Sequence, residues 1–413
     1  MNHIYRVVFN HSLGVYQCVS ELAKTCGKSS GKLSKIAVRN GFTLRALSTA
    51  LFSVLGLSIA SVTHAITYDN GAVNIVGNGY TIVDDIVKND GTILKNNDDT
   101  NNYYHMQMSG DQEVPSRLLI KDNGVVQTDQ FRINNNALVD IEAGGRLEAN
   151  DIYTNGYYLN DQQLANDTKI NVNGPGSLLK AQDYLGIRSQ NAGTTTLTVE
   201  NGGTVEAGYL DISSYSYFDE NNQLITGDTS VKIDGLDSSL KVQDWLSIGS
   251  GSSETTLTVE NGGTAEANSL NIYSYNYYNQ DNQLPTTSKT SVNVDGSGSS
   301  LKVQEDVRIS SENAGTSTLS VKNGGTAEAN SLDIYSYGYY DQSNQPIITG
   351  ETSVNVDGAG SSLKVQEDVR ISSRNSGTST LTIENGGTAE AGNLYIGSDD
   401  YNNSTSTASK SIV

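Results

Sequence analysis

The chain has 413 residues and a formal net charge of −20, with 46 aspartates and glutamates against 26 lysines and arginines. Such a carboxylate excess excludes a protein that grips a phosphate backbone or an anionic membrane surface by charge. Its two cysteines, Cys18 and Cys26, lie close to the start, so thiol-based metal and disulfide chemistry is excluded from everything after them.

The charge changes sign along the chain. Residues 1–65 hold seven cations and one carboxylate, Glu21, for a net +6, and the remainder carries −26. Two segments with different fates are expected. Within the first, Ala46–Ala60 reads ALSTALFSVLGLSIA, preceded by basic residues and followed by SVTHA. That order of basic, apolar and small residues is a signal peptide. The run is short for a membrane span, which needs about 20 residues. Cleavage is expected after Ala65, with Thr63 at the −3 position and Ala60 as the second choice.

The first 24 residues, MNHIYRVVFNHSLGVYQCVSELAK, are too polar to belong to that apolar run. They resemble the extended signal peptide region of type V secretion proteins of Gram-negative bacteria. Asn2, Ile4, Tyr5, Arg6, Val7, Asn10, Ser12, Leu13, Gly14, Val19, Ser20, Glu21, Leu22, Ala23 and Lys24 carry the match, and Phe9 stands where members often have Trp. The resemblance implies export through the Sec translocon, then passage through an outer-membrane β-barrel. The expected division is 1–24 extended region, 25–65 remainder of the signal peptide, 66–130 N-terminal cap and first coils, and 131–413 repeats.

In the last segment NGGT recurs at Asn201, Asn261, Asn323 and Asn385, at spacings of 60, 62 and 62 residues, with a weaker AGGR at Ala143. A long-period internal repeat follows. In the unit Ser291–Thr352, apolar residues come in pairs one residue apart: Val292/Val294, Leu301/Val303, Val307/Ile309, Leu319/Val321, Ala327/Ala329 and Leu332/Ile334. The neighbouring units keep the set, from Val231/Ile233 to Leu270/Ile272 and from Val354/Val356 to Leu394/Ile396. Period-two pairs mean short strands with one buried face. The Asp-Gly and Asn-Gly-Gly strings between them supply turns with φ > 0. Six strands per unit predict two coils of a three-sided solenoid with one protruding loop. The expected fold is therefore all-β: a right-handed parallel β-solenoid, or β-helix, of ~60-residue repeats behind a cleaved signal peptide. A lone unit buries too little to offset the entropy of ordering its ~60 residues, so the coils must stabilise one another by stacking. The units also resemble passenger-domain repeats of autotransporters, in strings such as Thr256–Ala267, TLTVENGGTAEA.

Little in the repeats points to catalysis. After Ala65 the one histidine is His105, which removes most metal and nucleophile schemes; no metal ion and no cofactor are expected. DGSGS at Asp295–Ser299 is similar to the nucleophile turn of serine-protease passengers, but DGLDSS and DGAGSS stand at the same place in other units, so it reads as a turn. The pairs Glu305-Asp306 and Glu367-Asp368 invite comparison with glycosidase carboxylates. Adjacent strand residues, however, point to opposite faces. An enzyme is not expected, and a polysaccharide-active solenoid is the alternative. Asp219, Asn221, Asp281 and Asp341 lack the Gly and distal Glu of a calcium loop.

The variable element is the tyrosine-rich loop of each unit, as in YSYNYYNQDNQL from Tyr273. Tyr157, Tyr158, Tyr215, Tyr217, Tyr275, Tyr277, Tyr337 and Tyr339 are the candidate surface-recognition residues, since tyrosine offers area and a hydrogen bond at low entropy cost. The competing role is a stacked ladder protecting the solenoid face. An adhesin-like passenger, exported to the cell surface or beyond and binding a glycan or protein receptor, is the expected function, with no nucleic acid partner. No translocator barrel is read within the 413 residues, so a fragment of a longer gene or a truncated reading frame, a remnant of a larger autotransporter, is expected, with a passenger that uses a separate transporter as the third reading.

Overall fold

The computed structural model describes residues 5–10, 15–20, 64–67, 74–77, 105–108, 116–133, 136–154, 167–189, 193–218, 224–276, 288–340, 346–375, 377–398 and 410–412. Two compact units divide the chain, 1–59 and 60–413. In the first, Tyr5–Asn10 and Val15–Ser20 pair antiparallel, Tyr5 opposite Ser20 and Asn10 opposite Val15. The apolar run Ala46–Ala60 and Thr63 lie outside the described residues. In the second unit the strand His64–Thr67 straddles the expected cleavage point and pairs antiparallel with Asn74–Gly77, Ala65 opposite Val76.

The rest of the second unit is the parallel β-solenoid that the apolar pairs predict, and no helix occurs among the described residues. One repeat shows its construction. Ser288–Asp295, Ser300–Val303 and Asp306–Glu312 make one coil; Gly315–Lys322, Thr326–Ala329 and Ser331–Tyr337 make the next. The three strands of a coil lie on three faces. Each pairs in parallel with its equivalents one coil before and after, as Val292 does with Leu257 and Leu319. On the first face this stacking gives an eleven-stranded sheet. Parallel stacking is already present at Ser116–Ile120, which pairs with Ala137–Glu142.

Alternation along each strand turns one side chain in and the next out. The inward set forms a single core. Every member of the six pairs named in Ser291–Thr352 is at most 4% exposed. The second face alternates large and small along the axis: Leu240, Ala265, Leu301, Ala327 and Leu363 lie in one row. Ile383, Leu394 and Ile396 are 39%, 46% and 52% exposed: the strand Lys410–Ile412 covers only Thr378–Thr380 of the strand that carries Ile383, and no described strand lies beyond Asn393–Ser398.

The corners follow from backbone chemistry. In the Asn-Gly-Gly turn Asn323 has φ 53° and Gly324 φ 89°, as expected for left-handed residues. Gly325 is outside that region. A β-carbon there would sit 2.6 Å from the carbonyl oxygen of Val294 in the preceding coil, so this glycine serves close approach rather than left-handed backbone. At the opposing turn the buried Ser299 hydroxyl donates to Asp295 O (2.7 Å) and accepts from Gly262 N (3.0 Å). Asn323 Nδ2 donates to Asp295 Oδ1 at 2.7 Å, and Asn261 and Asn385 make the same bond to Asp234 and Asp357.

The third corner, where the variable loops leave, is stapled from within. Ser214, Ser250, Ser274, Ser311 and Ser336 meet Thr255, Thr290, Ser317, Thr352 and Ser379 across the core at 2.5–2.9 Å. The same Thr290 and Thr352 hydroxyls also donate to Tyr273 O and Tyr335 O at 2.7 Å. Burying so many hydroxyls is tolerable because each finds partners. The result fixes the strand ends from which the loops depart.

Candidate recognition face

The outward side chains of the third face form rows along the solenoid axis, because strands one coil apart pair in register. One row runs Tyr215, Gly251, Tyr275, Glu312, Tyr337, Arg374. The adjacent row runs Arg188, Ser213, Gly249, Tyr273, Ser310, Tyr335, Ser372. Tyrosine therefore recurs at every second coil, roughly 9.6 Å apart at 4.8 Å per coil. Between the tyrosines stand mostly small residues, and the first of them is needed. A β-carbon at Gly249 would lie 2.1 Å from Cζ of Tyr273, and one at Gly251 3.1 Å from Cζ of Tyr275. The two rings thus lie over the glycines of the preceding coil, near-parallel at 7° with centroids 6.2 Å apart.

Of the sequence candidates, Tyr215, Tyr275 and Tyr337 are half-buried strand-end residues in one row. Tyr217 and Tyr339 start short antiparallel ribbons, opposite Ile225 and Ile348, so two of the loops begin as two-stranded projections. Tyr157, Tyr158 and Tyr277 lie outside the described residues. Some of the tyrosines cover the sheet, and others stand where the loops begin.

Sequence reasoning missed Tyr153, Tyr184 and Tyr209. They stack along the axis with ring centroids 5.2 and 5.4 Å apart. Beside them lies an ion pair between Arg188 and Asp211, whose side chain is 7% exposed. Arg188 Nε donates to Asp211 Oδ2 at 2.7 Å, Tyr184 Oη donates to the same oxygen at 3.1 Å, and the guanidinium lies 5.4 Å from the Tyr184 ring centre. A related cluster recurs further along, where Arg374 lies 5.7 Å from the centre of the Tyr337 ring and Arg370 3.7 Å from Asp333. No sequence signal joins Arg188 to Asp211, which are brought together only by stacking.

Burial and the neighbouring Asp211 charge push the Tyr184 phenol well above its usual range. Burial, with Tyr215 and Asp211 adding to it, does the same to Tyr273. Unfolded tyrosines ionise near pH 10. A folded value above the unfolded one gives stability that is complete below pH 10 and lost as pH rises past it. Alkaline titration followed at 295 nm should show a tyrosine fraction that ionises only together with loss of the β-sheet circular dichroism signal. Smooth ionisation of all tyrosines near pH 10 with the fold intact would contradict this.

The carboxylates Glu305 and Asp306 are engaged between coils. Ser269 Oγ donates to Glu305 Oε2 (3.3 Å) in one direction and Ser331 Oγ to Asp306 Oδ1 (2.5 Å) in the other.

Residues 1–50 match the family model described as the Extended Signal Peptide of Type V secretion system. No curated protein and no solved structure matches the chain.

Proposed function

We propose that this type V secretion passenger is adhesin-like, binding host or neighbouring-cell surfaces through its repeated tyrosine-rich loops. The extended signal peptide directs export across the periplasm to the cell surface or beyond, by a route that uses Sec and an outer-membrane translocator. The observation that carries the binding reading is the single row of loop origins. Tyr215, Tyr275 and Tyr337 recur every second coil in one register, each held by the buried hydroxyl staple. Identical spacing on a rigid rod favours simultaneous weak contacts, in which avidity grows with the number of sites rather than with new chemistry.

The same reading has the chain bind its partner without turnover, since Glu305 and Asp306 serve contacts between coils. Deleting residues 217–225, 277–287 and 339–348 from the full chain should lower adhesion to cell monolayers at least tenfold while leaving the β-sheet circular dichroism of the solenoid in place. Full adhesion by the loopless rod would refute the loop assignment. Polysaccharide hydrolysis lost on Glu305→Gln would favour the enzyme instead.

A further inference from the structure

The serines of the Asp-Gly turns act on the asparagines one coil earlier. An asparagine followed by glycine carries its own reagent. The glycine amide nitrogen can attack the asparagine carboxamide, and glycine has no β-carbon to obstruct the approach. Six Asn-Gly steps lie among the described residues, starting at Asn123, Asn173, Asn201, Asn261, Asn323 and Asn385. In five of them the glycine N–H is engaged. Gly124 donates to Lys121 O (2.8 Å) and Gly174 to Glu200 O (3.0 Å). Gly202, Gly262 and Gly324 donate to the hydroxyls of Ser238, Ser299 and Ser361, each one coil later, at 3.0–3.1 Å. The second glycine of these turns is held as well: Gly203 O, Gly263 O and Gly325 O accept from Ser239 N, Ser300 N and Ser362 N at 3.0–3.1 Å.

The turn at Asn385 differs. Among the described residues Gly386 N has no acceptor and Gly387 O no donor. Asn385 and Gly386 are both exposed, whereas Gly262 is buried and Gly202 and Gly324 are half-buried. Backbone conformation does not set the turn apart, since all four NGG asparagines have φ of 51–53°. Nor does the side chain: Asn385 Nδ2 donates to Asp357 Oδ1 at 2.7 Å, as Asn261 and Asn323 do to Asp234 and Asp295. The difference is the missing clamp on the attacking nitrogen.

We propose that Asn385 is a site of spontaneous deamidation, that the serine of the following coil closes the other NGG turns to the same reaction, and that the product loosens the last described coil. Base removes the Gly386 amide proton, and the nitrogen attacks Cγ of Asn385. The N–Cγ bond forms, the Cγ–Nδ2 bond breaks, and ammonia leaves with a proton taken from water. Water then opens the five-membered imide. Addition at Cγ breaks the new bond and gives aspartate. Addition at the α-carbonyl breaks the original peptide bond and gives isoaspartate, with the chain routed through the side chain. Nothing is oxidised or reduced, and water is the sole co-reactant. A serine hydroxyl opposes the first step by holding the proton on the nitrogen, because a bond to the neutral form disfavours the ionised one. At the clamped turns the reaction waits on local opening, which must break bonds to the next coil. Either product sets a carboxylate beside Asp357 in place of the Nδ2 donor, a like-charge pair. Isoaspartate also lengthens the backbone just before Thr388, whose N–H donates to Ser361 O at 3.0 Å.

The test incubates the full chain in mildly alkaline buffer and follows each Asn-Gly step by peptide mass spectrometry, with fragmentation that separates aspartate from isoaspartate. In the folded chain Asn385 should convert at least tenfold faster than Asn201, Asn261 and Asn323. In urea the four should convert at similar rates. Ser361→Ala should speed Asn323 and leave Asn261 slow, and Ser299→Ala should do the reverse. In the isoaspartyl fraction the Thr388 amide should exchange with deuterium at least tenfold faster than in the parent. An Asn385 no faster than the other three in the folded chain overturns the site, a comparison that needs no variant. Serine variants that speed every turn alike, or none, overturn the clamp. An unchanged Thr388 amide overturns the loosening of the coil.

Discussion

Gly325→Ala should destabilise the solenoid by about 1–3 kcal/mol or more, although Gly325 has an ordinary backbone conformation. The reason is the preceding coil. The added methyl carbon would sit 2.6 Å from Val294 O and 3.0 Å from Val294 C, both backbone atoms that cannot swing aside. Relief requires the two coils to part at the corner, which weakens the bonds between them there, Thr326 N–Ser299 O and Gly296 N–Lys322 O. The contrast is Gly324→Ala. Gly324 has φ 89° but meets nothing closer than 3.5 Å, the Ser297 backbone and side chain, so its cost is left-handed strain of about 1–2 kcal/mol. Gly203, Gly263 and Gly387 meet the carbonyl of the preceding coil at 2.3–2.6 Å and should behave like Gly325. Urea unfolding of the two variants checks the order. A Gly325→Ala protein as stable as the parent would mean that the coils are not in close contact at this corner.

The glycine pair also shows where sequence reading stops. NGG is read correctly as a turn, but its two glycines do different work, and only the geometry of the coil before tells them apart. The core is legible because burial in a stacked coil has a local signature: Val292/Val294 or Leu332/Ile334 alternate within three residues. The hydroxyl staple, the Arg188–Asp211 pair and the tyrosine rows are not legible, because their members are neighbours across coils. Ser274 and Ser317 are 43 residues apart, and Arg188 and Asp211 are 23 apart. The tyrosines are legible as a recurring feature. Their division into a layer on the sheet and an entry into the loops is not, since the decisive partners are Gly249 and Gly251 in the previous coil.

The same dependence on register predicts which deletions the rod tolerates. On the outward side of the second face the in-register residues are Glu148, Lys180, Glu206, Lys241, Glu266, Lys302, Glu328, Lys364 and Glu390, so charge alternates at every coil. Of these, Lys180 Nζ reaches Glu206 Oε2 at 2.9 Å. Inside, Leu alternates with Ala and Val with Ala in the same rhythm. Successive coils are therefore complementary rather than equivalent, and the true unit is two coils. Removing residues 291–352 joins Thr290 to Ser353, restores Thr-Ser-Val, and sets Lys364 beside Glu266 and Leu363 on Ala265. That variant should keep an unfolding midpoint near that of the parent. Removing one coil, residues 288–314, sets Glu328 beside Glu266, Ala327 on Ala265 and Tyr335 beside Tyr273. The Leu-sized gap costs about 2–5 kcal/mol and the like-charge pair about 0.2–1 kcal/mol. The one-coil deletion should accordingly lose several kcal/mol in urea unfolding although it removes less than half as many residues. Equal stability of the two variants would show that coils stack without regard to parity. The expected inequality would explain why the spacing of the NGGT strings is that of two coils and not one: a solenoid built from complementary halves can change length only in whole units.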